Sequence, residues 1–290
     1  MADAPVAGLL LVDKPAGISS FGAIARLRPA YGRKLGHAGT LDPFATGLLV
    51  VLHGRATRLA TYLSGLEKRY AAEVRFGATS TTGDPEGEIA VTGATTERAA
   101  VEAALPALTG RIQQVPPAAS AVHIDGERAY RRFRRGEAVT VPARQVTVHG
   151  ITLMQFDEDT QTARLDVRCG TGTYVRSLAR DLGEALGAGA YLTQLRRTEV
   201  GPFRVEDAAT PDAIVAAGAG TLGWLPPLAA VGALPRRALS PEERTAVGHG
   251  RRIAAVDIEG AVALVADGEL IGVGEADDGS IAPRIVLDPA

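Results

Sequence analysis

The residues best placed to do chemistry lie in one loop, Gly36-His37-Ala38-Gly39-Thr40-Leu41-Asp42-Pro43-Phe44-Ala45-Thr46-Gly47. Three glycines in twelve residues permit tight turns and close approach of a ligand. Asp42 precedes a proline, which pushes its backbone away from helix. An isolated Asp-Pro ordinarily makes an Asx-turn. This loop, however, is too apolar for a solvent-exposed turn and runs straight into the apolar segment Leu48 to Leu52. A carboxylate there needs a partner, because burying an unpaired charge costs several kcal/mol. Other chemistries find no support. The single cysteine, Cys169, excludes a disulfide framework and a multi-thiolate zinc site, and the five histidines show no pair at ligand spacing. Neither a Walker loop nor a dinucleotide fingerprint is found. The loop therefore points to cofactor-free carboxylate chemistry. A lyase or glycosidase with a carboxylate pair is one such reading, but no second carboxylate stands out beside Asp42.

The elements that must position this loop follow from periodicity. Gly8 to Val12 and Leu48 to Leu52 read as buried strands, and Lys68 to Phe76 alternates as a half-buried one. Ser19 or Ser20 caps a helix carrying Phe21, Ile24 and Leu27, which Pro29 ends. Ala56 to Leu63 and Glu97 to Leu108 read as helices, the latter kinked or ended by Pro106. Val146 to Phe156 and Ala163 to Cys169 are strands, followed by a helix from Tyr174 to Leu186. Near the C-terminus, Ile253 to Val256, Ala261 to Ala266, Leu270 to Val273 and Arg284 to Leu287 are short strands between Gly and Asp turns, a spacing that suggests a small β-barrel or sandwich.

The 290 residues correspond to about two domains. With 46% hydrophobic and 22% charged residues the chain is an ordinary globular protein, and extensive disorder is excluded. The apolar run Val6 to Val12 follows Asp3 without a basic flank, which reads as a strand and not a signal peptide. The uncharged stretch Ala213 to Pro235 is interrupted by glycines and Pro226-Pro227, so it reads as a helix end plus linker and not a membrane span. A cytoplasmic location is expected. The net charge of −2 hides two basic regions. Residues 1–60 carry seven basic against three acidic residues, as do residues 111–150, whereas residues 235–290 carry six against ten. Such regions suit phosphate contact as well as they suit solvated faces.

Five motifs in register, namely Lys14-Pro15, the Asp42 loop, Lys68-Arg69-Tyr70, Gly172-Thr173-Tyr174-Val175-Arg176 and Tyr191 to Arg197, resemble the TruB family of pseudouridine synthases along nearly the whole chain. Ala38 and Phe44 depart from the family pattern without altering a charged group. The resemblance implies an α+β fold, with a mixed, mostly antiparallel sheet and flanking helices followed by a small β-barrel of PUA type. It divides the chain into a catalytic domain, residues 1–233, with an RNA-binding insertion at about 113–144, and a second domain, residues 234–290. It implies cofactor-free isomerisation of uridine 55 in the T loop of tRNA, by a monomer without a protein partner.

Residue by residue, the resemblance makes Asp42 the essential carboxylate, acting at C1′, at C6 or as a base in a glycal route. Arg176 is its partner. A cation in a helix's first turn opposes the dipole, so a negative group should lie near it. Asp84 matches an acid near that arginine, and is equally readable as a turn aspartate. Tyr70 stacks on the target base, Leu195 walls the uracil pocket, and Lys14 with Pro15 supports Tyr70. His37 fills the space that the everted base leaves. Tyr174 lies in the Arg176 motif and faces substrate. Arg131 and Arg132, in the insertion with Tyr130 and Phe133, contact RNA. A noncatalytic RNA-binding module and a synthase acting on another RNA are the rival readings.

Overall fold

The structure is a computed structural model that describes residues 7–120, 122–124, 126–218, 223–255 and 258–288. Val6, Asp125, Val256 and the middle of the expected linker, residues 219–222, lie outside them. In chain order the first elements are β1 (Ala7–Lys14), α1 (Ser20–Tyr31), β2 (Leu35–Ala38), β3 (Thr46–Gly54), α2 (Ala60–Ser64), β4 (Lys68–Phe76) and the hairpin β5 (Ala78–Ser80) with β6 (Ile89–Val91). Next come α3 (Arg98–Ala104), β7 (Gly110–Gln114), β8 (His123–Ile124), β9 (Glu127–Arg128), α4 (Ala129–Arg134), β10 (Arg144–Asp157), β11 (Thr162–Cys169) and α5 (Val175–Ala185). The chain continues through β12 (Ala190–Val200), β13 (Phe203–Arg204) and α6 (Pro211–Ala217).

These strands build a sheet in the order β1-β3-β12-β4-β11-β10-β7, with β2 added to β3 and β13 to β12. Each pairing is antiparallel except β12 with β3. β1 reads as a continuous apolar run because both its faces are covered: Leu9 and Leu11 enter one core, Leu10 and Val12 another. β4 alternates instead. Tyr70, Ala72, Val74 and Phe76 face the core under α5, while Arg69 and Arg75 face out. Arg69 pairs there with Asp166 and Glu199.

The C-terminal part contains β14 (Arg236–Ala238), α7 (Pro241–Gly248), β15 (Ile253–Ala254), β16 (Gly260–Ala266), β17 (Glu269–Asp277) and β18 (Ser280–Val286). Its curled, PUA-like sheet runs β14-β16-β17-β18-β15 around Val247, Val262, Leu264, Ile271 and Ile281. A second set, Leu270, Val273 and Leu287, joins the core of β1 and β3, and Arg55 and Arg58 donate to the carbonyls of Leu287 and Val286.

Several local expectations are corrected. Pro29 does not end α1, which continues to Tyr31. In the last turn a proline removes only one backbone hydrogen bond. The helix expected over Ala56 to Leu63 is a 3₁₀ turn, Arg55–Leu59, leading into α2. Over Glu97 to Leu108 the expectation holds: α3 ends at Ala104 and passes at Pro106 into a 3₁₀ turn, Leu105–Leu108. Part of the expected linker is docked: Leu9 and Leu225 exchange backbone hydrogen bonds of 2.9 Å. Among the described residues no helix is long and apolar enough to cross a membrane.

Candidate active site

The Asp42 loop begins as a strand, because Leu35 to Ala38 pair with β3. Gly39 then turns at a φ of 79°. The chain returns at Thr46 and Gly47, alongside Arg196 and Arg197 of β12. Gly47 has a φ of 102°, and a Cβ there would run into the Arg197 carbonyl, so only glycine fits this approach. Both neighbours of Asp42 are pinned. The hydroxyl of Ser20, at the start of α1, accepts from Leu41 N at 2.8 Å and donates to Leu41 O at 3.1 Å. Buried Lys14 donates through Nζ to the carbonyls of Pro15 and Ile18, both at 2.8 Å, and of Pro43 at 3.3 Å. Lys14 therefore ties down the Asp42 loop, and its donors turn to these carbonyls and not to Tyr70. Burial pulls its ammonium down to about 8, against the raising effect of Asp42 and Glu86.

Arg176 lies in the first turn of α5, with its side chain 3% exposed. Nη2 donates to Asp42 Oδ1 at 3.1 Å, and Nε lies 2.9 Å from Asp42 Oδ2. Nη1 is 3.0 Å from Asp84 Oδ2. The remaining donors reach Thr82 O at 2.8 Å and Ala119 O at 2.9 Å. Two carboxylates thus offset the unfavourable placement of a cation in that turn. Asp84 is fixed in turn by the Thr82 hydroxyl at 2.6 Å and Glu86 N at 3.0 Å. The helix start is fixed by buried Gln114, which brackets the Tyr174 backbone, accepting from N at 2.8 Å and donating to O at 3.2 Å.

A second carboxylate therefore does stand beside Asp42, across one guanidinium. The side chain of Asp84 is only 4% exposed whereas that of Asp42 is 33% exposed, so Asp42 is the acid open to a substrate. The two do not make a glycosidase-like pair of accessible acids. Burial, the largest effect, and the charge of Asp84 raise the Asp42 carboxyl above its ordinary value, while Arg176 and Lys14 oppose them. Arg176 does not hold Asp42 below that value, as its pairing alone would suggest.

Tyr70 and Leu195 share an apolar cluster with Leu41, Ala45 and Val175, next to the carboxylate. Burial raises the Tyr70 phenol. His37 is half-buried on β2, and its Nδ1 has no partner among the described residues. Burial and the Arg197 charge lower it, leaving a neutral imidazole at pH 7. The other expected residues stand apart from the carboxylate cluster. Tyr174 places its ring under Arg144, 4.9 Å from the guanidinium. Arg131 donates to the Tyr130 hydroxyl at 3.4 Å, and Arg132 donates to Glu137 at 3.0 Å. Ser20, Gln114 and Thr82 act through backbone atoms or neighbouring side chains, and nothing in their residue types announces that.

The family model for TruB family pseudouridylate synthases, N-terminal domain, matches residues 28–175. Models for the tRNA pseudouridylate synthase B C-terminal domain and for the pseudouridine synthase II TruB C-terminal region match residues 176–220 and 235–287. The tRNA pseudouridine synthase B of Thermobifida fusca is 48% identical over 97% of this chain and 98% of its own. That of Arthrobacter sp. is 44% identical over 98% of each. A solved H/ACA ribonucleoprotein bound to a substrate RNA containing 2′-deoxyuridine shares the fold, with a TM-score of 0.76 at 23% identity over 97% of this chain and 85% of that one. With its motifs, its sheet and its sequence in agreement, the chain belongs to the TruB family of pseudouridylate synthases.

Proposed function

We propose that this chain converts uridine 55 in the T loop of tRNA to pseudouridine, with Asp42 as the essential carboxylate. The observation that carries the proposal is the partly exposed Asp42 side chain gripped by buried Arg176. The names of the relatives, tRNA pseudouridine synthases B, support the choice of substrate. The target base leaves the stack, at a cost of a few kcal/mol, and the His37 ring takes its space. The ring's lowered basicity suits stacking of a neutral imidazole. The base then lies between Tyr70 and Leu195, with its ribose against Asp42.

The reaction is an isomerisation: the N1–C1′ bond breaks, the base rotates, C5 joins C1′, and the C5 proton is released as N1 gains one. The ionised Asp42 carboxylate supports the positive character at C1′ or bonds to it. Arg176 keeps the carboxylate aimed, and Tyr70 brings its hydroxyl to the side where the C5 proton leaves. Recognition is by shape and phosphate contact, since A-form major grooves are hard to read. The insertion, residues 113–144 with Arg131 and Arg132, covers the T loop. Residues 1–233 form the catalytic domain and residues 234–290 the assisting one. The protein acts in the cytoplasm as a monomer.

The test is incubation with unmodified tRNA transcript and mapping of the product. One pseudouridine at the T-loop position is expected. Absence of product on tRNA would refute the reading, and product only on another RNA would reassign the substrate.

A further inference from the structure

Arg197, on β12, is the largest of the fully buried side chains, 1% exposed, and it makes no ion pair with a carboxylate among the described residues. Its guanidinium instead bonds backbone. Nε donates to Leu48 O at 2.7 Å and Nη2 to Gly39 O at 3.0 Å. Those two carbonyls are the two stems of the loop that carries Asp42, so one planar fork closes the loop's neck. On the neighbouring strand the register partner of Arg197 is Tyr70. A Cβ on Gly39 would lie 3.3 Å from Arg197 Nη1, at a φ of 79° that disfavours any side chain. A buried guanidinium costs several kcal/mol in desolvation unless its donors are satisfied. A single ammonium could carry the charge but could not span both stems.

We infer that Arg197 is a positioning residue, which fixes the Asp42 loop by stapling Gly39 to Leu48 and sets Tyr70 opposite it across β12 and β4. This rests on the proposed uridine isomerisation. Arg176 aims the carboxylate and Arg197 holds the backbone that bears it. The guanidinium charge also lowers the Tyr70 phenol against the upward push of burial, consistent with the two groups facing each other.

The test compares the wild-type chain with Arg197→Lys and Gly39→Ala in steady-state and single-turnover assays on tRNA transcript, with thermal melting alongside. Misplacement of a reacting group by about 1 Å costs on the order of 100-fold. Arg197→Lys is therefore expected to lower kcat by about 10- to 100-fold with KM little changed. A merely structural role would lower the melting point and leave the rate per folded molecule unaltered. Wild-type kcat in folded Arg197→Lys overturns the inference. If that variant does not fold, Gly39→Ala decides, because it crowds the fork without removing its charge: reduced kcat supports the staple and wild-type kcat overturns it. An inactive wild-type chain would overturn the proposed function with it, whereas an active wild type with unimpaired variants overturns only the role of Arg197.

Discussion

Removing Arg176 separates its two duties. In Arg176→Ala, Asp84, 4% exposed, loses the cation it pairs with, and Asp42 loses both close partners on the guanidinium. Breaking a buried pair by removing one partner costs about 3–5 kcal/mol. That is roughly a third of a typical total stability of about 5–15 kcal/mol. The melting point should fall by on the order of 10 °C. Arg176→Lys keeps a positive charge and should recover part of that loss. One nitrogen cannot serve two carboxylates and the carbonyls of Thr82 and Ala119 together, so the rate should still fall by about 100- to 1000-fold, as for loss of a preorganised donor. The pH profile carries a sign as well. Without the guanidinium, burial and Asp84 both push Asp42 upward with less opposition. Its protonated, inactive form then persists to higher pH, and the acid limb moves in that direction. The assay is single-turnover conversion of tRNA transcript across pH, with denaturation measured in parallel. A folded Arg176→Lys with the wild-type rate and acid limb would refute the pairing.

Asp84→Asn removes one of the causes that raise Asp42, so the acid limb of the rate should move to lower pH; a limb that stays or rises contradicts the shared guanidinium. Ser20→Ala strands the buried Leu41 N–H, which should cost about 1–3 kcal/mol in urea denaturation and slow turnover; an unchanged midpoint would contradict the clamp. In Arg131→Ala with Arg132→Ala, tRNA binding should weaken and its log–log salt slope should become shallower by about 1 for each phosphate no longer neutralised; an unaltered slope would remove these residues from the RNA surface.

What the sequence reveals is the chemistry that residue type advertises. An aspartate in an apolar, glycine-rich loop requires a partner, and an arginine in a helix's first turn requires an acid; the two meet. The strands β1, β3 and β4 follow from their periods, because burial on one or both faces writes directly into the pattern. What stays hidden are the backbone clamps. Ser20 bonds Leu41, and Arg197 bonds a carbonyl 158 positions earlier in the chain, contacts that only tertiary packing creates. The resemblance makes Lys14 a support for Tyr70, but its donors turn to the carbonyls of Pro15 and Ile18, just after its own strand, and of Pro43 in the Asp42 loop. The raised Asp42 carboxyl is hidden for the same reason: its burial, the largest cause, and the charge of Asp84 both come from segments remote in sequence.

The proposed isomerisation depends on one carboxylate, at position 42. Asp42→Asn keeps nearly the same shape and leaves Arg176 bonded to Asp84, Thr82 and Ala119, so the variant should fold. Measured together on unmodified tRNA transcript, its binding should persist while pseudouridine formation is abolished. Continued turnover by Asp42→Asn would contradict the catalytic role of this carboxylate, and simultaneous loss of binding and turnover would assign Asp42 to folding instead.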